Sequence, residues 1–349
     1  KLFSCFKGYN KSTFVSDLLA GIIVGIVALP LAIAFGIASG ATPEAGILTA
    51  IVAGFLISFF GGSKVQIGGP TGAFIVIVYG IIQDYGMNGL YVATFMAGAF
   101  LILMGVLRLG TIIKYIPYPI IVGFTSGIAL TIFATQIKDL FGLQIASVPA
   151  DFIGKWGVYF QNIHTINWWS LLIGVCSILI IVFTPKINKK LPGSLVAIML
   201  MTLLALLLKH LGITGVETIG DRFTINAALP SAEVPEITWS SIRNLASPAL
   251  VIAMLGAIES LLSAAVADGV IGDKHNSNQE LIGQGIANMV VPMIGGIPAT
   301  GAIARTMTNI NNGGRTPVAG VIHAVVLALI YLFLMPYVKY IPMSCLAGV

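Results

Sequence analysis

Lys64-Val65-Gln66-Ile67-Gly68-Gly69-Pro70-Thr71-Gly72-Ala73 decides the reading of this chain, because a near copy stands far downstream as Gly295-Gly296-Ile297-Pro298-Ala299-Thr300-Gly301-Ala302. The residues before Pro70 have extended character, and a helix-forming run begins only after it. Pro suits a first helical turn and Thr71 or Thr300 suits an N-cap. Each motif therefore predicts an extended segment followed by a half-helix. Such a helix start carries unpaired N–H groups and the positive end of a dipole, and together these attract anions. A Pro kink in one continuous helix is the alternative. Occurrence of the motif in both halves favours the break.

Outward from the motifs, the chain reads as membrane. Of its 349 residues 57% are hydrophobic and 9% charged, against roughly a quarter charged in soluble domains. Asp, Glu, Lys and Arg are absent from Asp17 to Glu44, Glu44 to Lys64, Lys64 to Asp84, Asp84 to Arg108, Lys114 to Lys138, Lys155 to Lys186, Lys190 to Lys209, Glu280 to Arg305 and Arg315 to Lys339. These gaps approach or exceed the ~20 residues a helix needs to cross a bilayer. Spans are expected near 14–40, 43–60, 69–83, 88–107, 112–135, 167–185 and 192–211, then 247–267, 279–295, 300–312, 317–335 and from 338. A short surface-lying helix is expected within 138–166, where Trp156, Tyr159 and Phe160 mark a membrane interface.

The net charge of +5 forms no single patch, which argues against nucleic acid. Lys1, Lys7 and Lys11 before the first span place the N-terminus in the cytoplasm by the positive-inside rule. Lys64, Arg108, Lys114, Lys186, Lys189, Lys190, Lys274 and Arg315 then fall inside, and Glu44, Asp84, Asp139, Asp151, Glu217, Asp221, Glu233 and Glu236 fall outside. The three cysteines and four histidines are scattered, with no disulfide framework, metal set or catalytic constellation, so an enzyme is not expected.

Residues 1–13 read as a cytoplasmic tail, 14–211 as a first repeat of seven spans, 212–246 as an external linker and 247–349 as a second repeat. Lys114-Tyr115-Ile116-Pro117 returns as Lys339-Tyr340-Ile341-Pro342, 225 residues on, close to the motif offset. Seven spans before the linker invert the second half relative to the first. That half stops inside its fifth span, so about two more are expected beyond residue 349. The fold class is an all-α polytopic membrane protein of seven-plus-seven inverted repeats with two broken half-helices, expected to act as a secondary transporter for a small anion.

Around the motifs, Arg305 interrupts an apolar stretch, either adding positive potential to the anion site or snorkelling to the cytoplasmic edge. Glu259 lies deep in a span and is read as the one carboxylate well inside the membrane, suited to carrying a coupling proton. Span 1 holds Gly21, Gly25, Pro30, Gly36 and Gly40. Close helix packing explains these first, and lining of the cavity near Pro30 second.

At Asp17 to Gly21, Ala28 to Ala32, Gly69-Pro70-Thr71, Leu255 to Leu262 and Gly295 to Arg305, the whole chain resembles the sulfate permease (SulP) family. Bacterial members like the dicarboxylate permease are nearest. The resemblance implies a core domain (spans 1–4 and 8–11), a gate domain (spans 5–7 and 12–14) and an elevator motion. The anion would sit between the half-helix starts, at Pro30, Thr71, Gly72, Ala73, Thr300, Gly301, Ala302 and Arg305. Glu259 and Ser263 would hold the coupling ion, a proton before sodium, with no other cofactor. A homodimer in the inner (plasma) membrane and a downstream STAS domain are implied. The substrate is a dicarboxylate first, then sulfate or bicarbonate. The alternatives are a nucleobase–cation symporter of the same fold and an anion channel.

Overall fold

The computed structural model describes residues 1–5, 8–111, 118–149, 151–187, 192–225 and 234–349. Its long helices are α1 (Lys11–Ala38), α2 (Pro43–Phe60), α3 (Ile75–Val106), α4 (Tyr118–Phe141), α5 (Phe152–Gln161), α6 (Trp168–Ile187), α7 (Gly193–His210), α8 (Trp239–Ile271), α9 (Ser277–Val290), α10 (Ile303–Asn311) and α11 (Pro317–Val338). Local chemistry fixes several starts. The Asn10 side chain accepts from Thr13 N at 2.8 Å before α1, and Thr42 accepts from Ala45 N before α2, which has Pro43 in its first turn. α3 breaks at Gly86 (φ 69°, ψ −175°), giving the two expected spans. α8 begins at Trp239, inside the stretch read as linker, because Thr238 caps it there by accepting from Ser241 N. The copy at 114–117 of the second repeated motif lies outside the described residues, as do 188–191 and part of the 212–246 linker.

Among the described residues seven helices are long and apolar enough to cross a membrane, by length and composition. α9 and α10 are not. At about 1.5 Å per residue α10 reaches less than half of a ~30 Å hydrocarbon layer.

The chain divides into two compact units, Lys1–Gly123 with Ala228–Leu329, and Phe124–Ala227 with Ile330–Val349. The core of the first is built from Phe74, Val78, Leu90, Leu101, Ile252, Leu261, Leu281 and Ile297. Within it the small residues of α1 are packing residues. A Cβ on Gly21 would stand 2.6 Å from the Ala319 carbonyl, and one on Gly36 2.6 Å from the Thr42 carbonyl. Pro30 is buried within this unbroken helix. Lys1 Nζ donates to the Lys274 carbonyl at 3.0 Å, and Lys64 pairs with Asp273 at 2.8 Å. The Lys64 ammonium, as donor, holds the Asp273 carboxyl below the usual carboxylate range.

In the second unit α5 has 10 residues, with Ile153 and Phe160 strongly exposed. Arg222 bridges Asp139 at 2.7 Å and Glu217. Backbone bonds from Ile219 N to Ile341 O and from Met343 N to Glu217 O, both 2.9 Å, close the unit.

Candidate functional site

The two motifs of the first unit meet in an antiparallel ladder, with Gly68 opposite Gly301 and Gly69 opposite Thr300. Ala302 N donates to Ile67 O at 2.9 Å and extends it. Because the strands run in opposite directions, the chain leaves the ladder oppositely in its two copies. One copy enters a 3-10 turn, Gly72–Phe74, that continues into α3, and the other enters α10. Thus both helices are broken, as the sequence requires, and they start beside each other. By helix geometry the first N–H groups, Gly72 and Ala73 on one side and Ile303 and Ala304 on the other, have no acceptor within their own helix.

The details of these starts differ from the expectation. Pro70 and Pro298 lie in the extended segments and not in a helical turn. Thr71 does occupy the N-cap position, but its hydroxyl makes no cap bond. It donates instead to Glu259 Oε2 at 2.9 Å. Thr300 lies in the strand, and its hydroxyl donates to Gly256 O at 3.0 Å and contacts Ser260 Oγ at 2.5 Å. The strands run on past the prolines because pairing with each other satisfies backbone groups that a membrane interior cannot hydrate.

Each strand is held by side chains from distant helices. Fully buried Glu280 of α9 accepts from Gly62 N (2.8 Å), Ser63 N (3.0 Å), Gln66 Nε2 (2.9 Å) and Gln284 Nε2 (2.8 Å). Thr306 accepts from Ile67 N, and Asn309 donates to Val65 O. On the second segment Thr49 Oγ1 accepts from Ile297 N at 2.8 Å. Asn288 pairs with both polar groups of Ala299, and Ser260 Oγ accepts from Gly301 N. Two carboxylates nearer helix ends are more deeply buried than Glu259. Glu280 and Asp17 are both 0% exposed. Both stand near helix starts, where sequence places charges at the surface, but neighbouring backbone closes over them. Asp17 accepts from Arg315 N, Thr316 N, Thr316 Oγ1 and Tyr9 OH.

This predicts that Glu280→Ala, which strands four donors, lowers stability by more than about 3 kcal/mol at 1–3 kcal/mol per unsatisfied group. A thermal scan of the solubilised protein should show Tm falling by at least about 6 °C. A fall under 2 °C would remove Glu280 from this role.

Arg305, in the first turn of α10, is 2% exposed and does not snorkel. Its Nη2 donates to the Pro70 carbonyl, while its Nη1 has no hydrogen-bond partner among the described residues. Gly69 (φ 150°) holds a backbone conformation that L side chains rarely adopt, and a Cβ there would press on the guanidinium. Arg305 and Glu259 thus hold adjacent residues, Pro70 and Thr71. Glu259 itself is half-buried. Ser263, one turn further along α8, is buried and donates to Thr306 Oγ1 at 3.4 Å, so its described bond is with α10 and not with Glu259. No described hydrogen bond joins Pro30 to the motifs.

Sequence showed no catalytic constellation, yet Asp268 Oδ2, His275 and Ser277 Oγ form a chain of hydrogen bonds at 2.7 and 2.9 Å. Asp268 also accepts from His275 N, and Gly110 packs against Ser277, so the chain closes the loop between α8 and α9. A cavity of about 540 Å³ in the second unit is lined by Lys138, Lys209 and Arg222 but equally by Asp139, Glu217 and Asp221. That balance of charge does not select anions.

The sequence from 14 to 349 matches the model of the sulfate permease family. The chain belongs to this family. YvdB of Bacillus subtilis (strain 168), whose name assigns it provisionally to sulfate transport, is 48% identical over 99% of the chain and 64% of its own length. The bicarbonate transporter BicA of Picosynechococcus is 34% identical over 95% of the chain and 60% of its own length. The chain thus spans less than two thirds of these relatives. The solved transmembrane domain of a cyanobacterial BicA superposes with a TM-score of 0.86 at 34% identity, covering 97% of this chain and 87% of that one. SLC26A9, at 19% identity, shares the fold with a TM-score of 0.90 over 99% of this chain and 58% of that one. With its apolar helices, this chain is an integral membrane protein of the all-α polytopic fold of that family.

Proposed function

We propose that the chain is the membrane part of a secondary carrier for a small oxyanion, held between the two helix starts of the ladder. One observation carries the reading. The Arg305 guanidinium is buried beside both starts, so its positive charge coincides with N–H groups that have no acceptor within their own helix. An anion there would accept from Gly72, Ala73, Ile303 and Ala304 and neutralise a charge that is costly to bury alone. Pro30, Gly301 and Ala302 shape the surroundings, and Thr300 stiffens the strand.

Sulfate and bicarbonate come first as substrates, because the relatives are named for them. A dicarboxylate rests only on the motif resemblance and takes third place. Glu259 carries a coupling proton. When ionised it holds the Thr71 hydroxyl and opposes an anion nearby. When protonated it removes that charge, so proton and anion bind together. Ser263 belongs to the α10 anchor in this scheme, and sodium coupling is the alternative it would serve. An elevator motion of the first unit, a homodimer and a downstream STAS domain complete the proposal.

Full-length protein in proteoliposomes should take up labelled sulfate or bicarbonate saturably and against its gradient when the outside is acid. Non-saturable flux that only follows the gradient would indicate a channel. The proposed topology places the N-terminus and the 186–190 and Arg315 loops in the cytoplasm of the plasma membrane. A cysteine at position 188 (Asn188→Cys) should then resist a membrane-impermeant thiol reagent in intact cells, and labelling there would invert the topology.

A further inference from the structure

Behind the ladder, three polar side chains from three helices are buried without hydrogen bonds. Ser58 of α2 is 4% exposed, Arg305 of α10 2% and His323 of α11 0%. Ser58 Oγ, Arg305 Nη1 and both ring nitrogens of His323 lack partners among the described residues. The Gly320 carbonyl, one turn before His323, is near the ring without completing a bond.

Arg305 and His323 approach the Gly68–Gly69 peptide from two sides, Ser58 stands beside Gly320 one turn before His323, and glycines let all three come close to backbone. The guanidinium lies against Gly69. The point where a Gly54 Cβ would stand is 3.0 Å from His323 Cε1, 3.1 Å from its Nδ1 and 3.4 Å from the Gly68 carbonyl. A Cβ on Gly320 would collide with Ser58 Oγ and stand 3.4 Å from the Ile67 side chain. Apolar side chains would fill such a place at lower cost, since each buried polar group without a partner loses its hydration for nothing. A water in a polar niche of this kind makes two to four hydrogen bonds. The set here matches that demand: a guanidinium donor, a hydroxyl that can do both, and an imidazole with one donor and one acceptor when neutral.

We propose that Ser58, His323 and the free edge of Arg305 enclose a buried water site behind the strand, and that through this water His323 is a positioning residue for the guanidinium. Ser58 completes the water's contacts. The inference rests on the reading of Arg305 as an anion-binding group. His323 itself touches no substrate. It sets the angle at which Arg305 faces the helix starts, so its loss should change affinity and not stability.

The test uses the full-length protein, with equilibrium binding of labelled sulfate and bicarbonate measured beside thermal unfolding. His323→Leu removes both ring nitrogens at similar volume. It should weaken binding at least tenfold with Tm unchanged or higher, and Ser58→Ala should weaken it in the same direction. His323→Gln, which can still hold a water, should bind within threefold of the wild type. Binding by His323→Leu within threefold of the wild type would overturn the proposal. So would a fall in Tm that His323→Gln shares, which would mark a structural residue. Should His323→Leu fail to fold, Ser58→Ala alone decides, and unchanged binding there counts against the water site. Arg305→Gln separates the two readings. If it also binds normally, the anion reading of Arg305 has failed. If it alone loses binding, only the water site has.

Discussion

Replacing Arg305 by Gln is expected to weaken anion binding ten- to a hundredfold while the protein still inserts and folds. The shorter amide ends two bonds before the Nη2 that donates to the Pro70 carbonyl, so that bond is lost too. For the anion, what disappears is the positive charge beside the helix starts. A hydrogen bond to a charged group is worth about 1.5–3 kcal/mol, and about 1.4 kcal/mol is a factor of ten. Stability should change little, because relief from burying the charge offsets the lost bond to the Pro70 carbonyl. Equilibrium binding to the solubilised protein measures this directly. Unchanged affinity would reduce Arg305 to a clip on the strand.

Glu259→Gln should abolish accumulation driven by protons and spare exchange of substrate for substrate. The side chain sits where one group can sense both ligands, through the 2.9 Å bond from Thr71 at the N-cap position. A proton carried with each anion translates one pH unit into about 1.36 kcal/mol. At zero membrane potential the wild type should therefore concentrate a monovalent anion up to about tenfold per pH unit, and the variant should stop near onefold. The amide resembles the protonated carboxyl in shape and charge but cannot release a proton. Normal accumulation by the variant would place coupling elsewhere.

The broken helices were legible because their motif occurs twice, and chance rarely repeats Gly, Pro, Thr, Gly and Ala in one order. Arg305 and Glu259 were legible as charges inside apolar stretches. The frame that holds the strands was not, because most of its members are single polar residues with partners more than two hundred positions away. Glu280 to Gly62 and Asn309 to Val65 are examples. A weak signal was nevertheless present. Glu280, Gln284 and Asn288 follow one another at four-residue spacing on α9, a polar stripe on a helix that is apolar elsewhere beyond its first turn. Thr306 and Asn309 make a shorter one on α10. Read as span-end polarity, the stripes lost their meaning. They are hydrogen-bonding rails for extended backbone that lipid cannot satisfy.

Thr71 illustrates a different limit. Its position predicts a cap, and the structure keeps the backbone geometry of one, but the hydroxyl is drawn to a carboxylate from another helix. Propensity gives the place of such a residue and tertiary contact gives its use.

A structure of the full-length protein with selenate, a heavier analogue of sulfate, tests the central claim most directly. The expected density lies between the two helix starts, within hydrogen-bonding distance of the Gly72, Ala73, Ile303 and Ala304 N–H groups and close to Arg305. Selenate bound elsewhere, for example among the lysines of the second unit, with this place unoccupied at saturating concentration, would contradict the account.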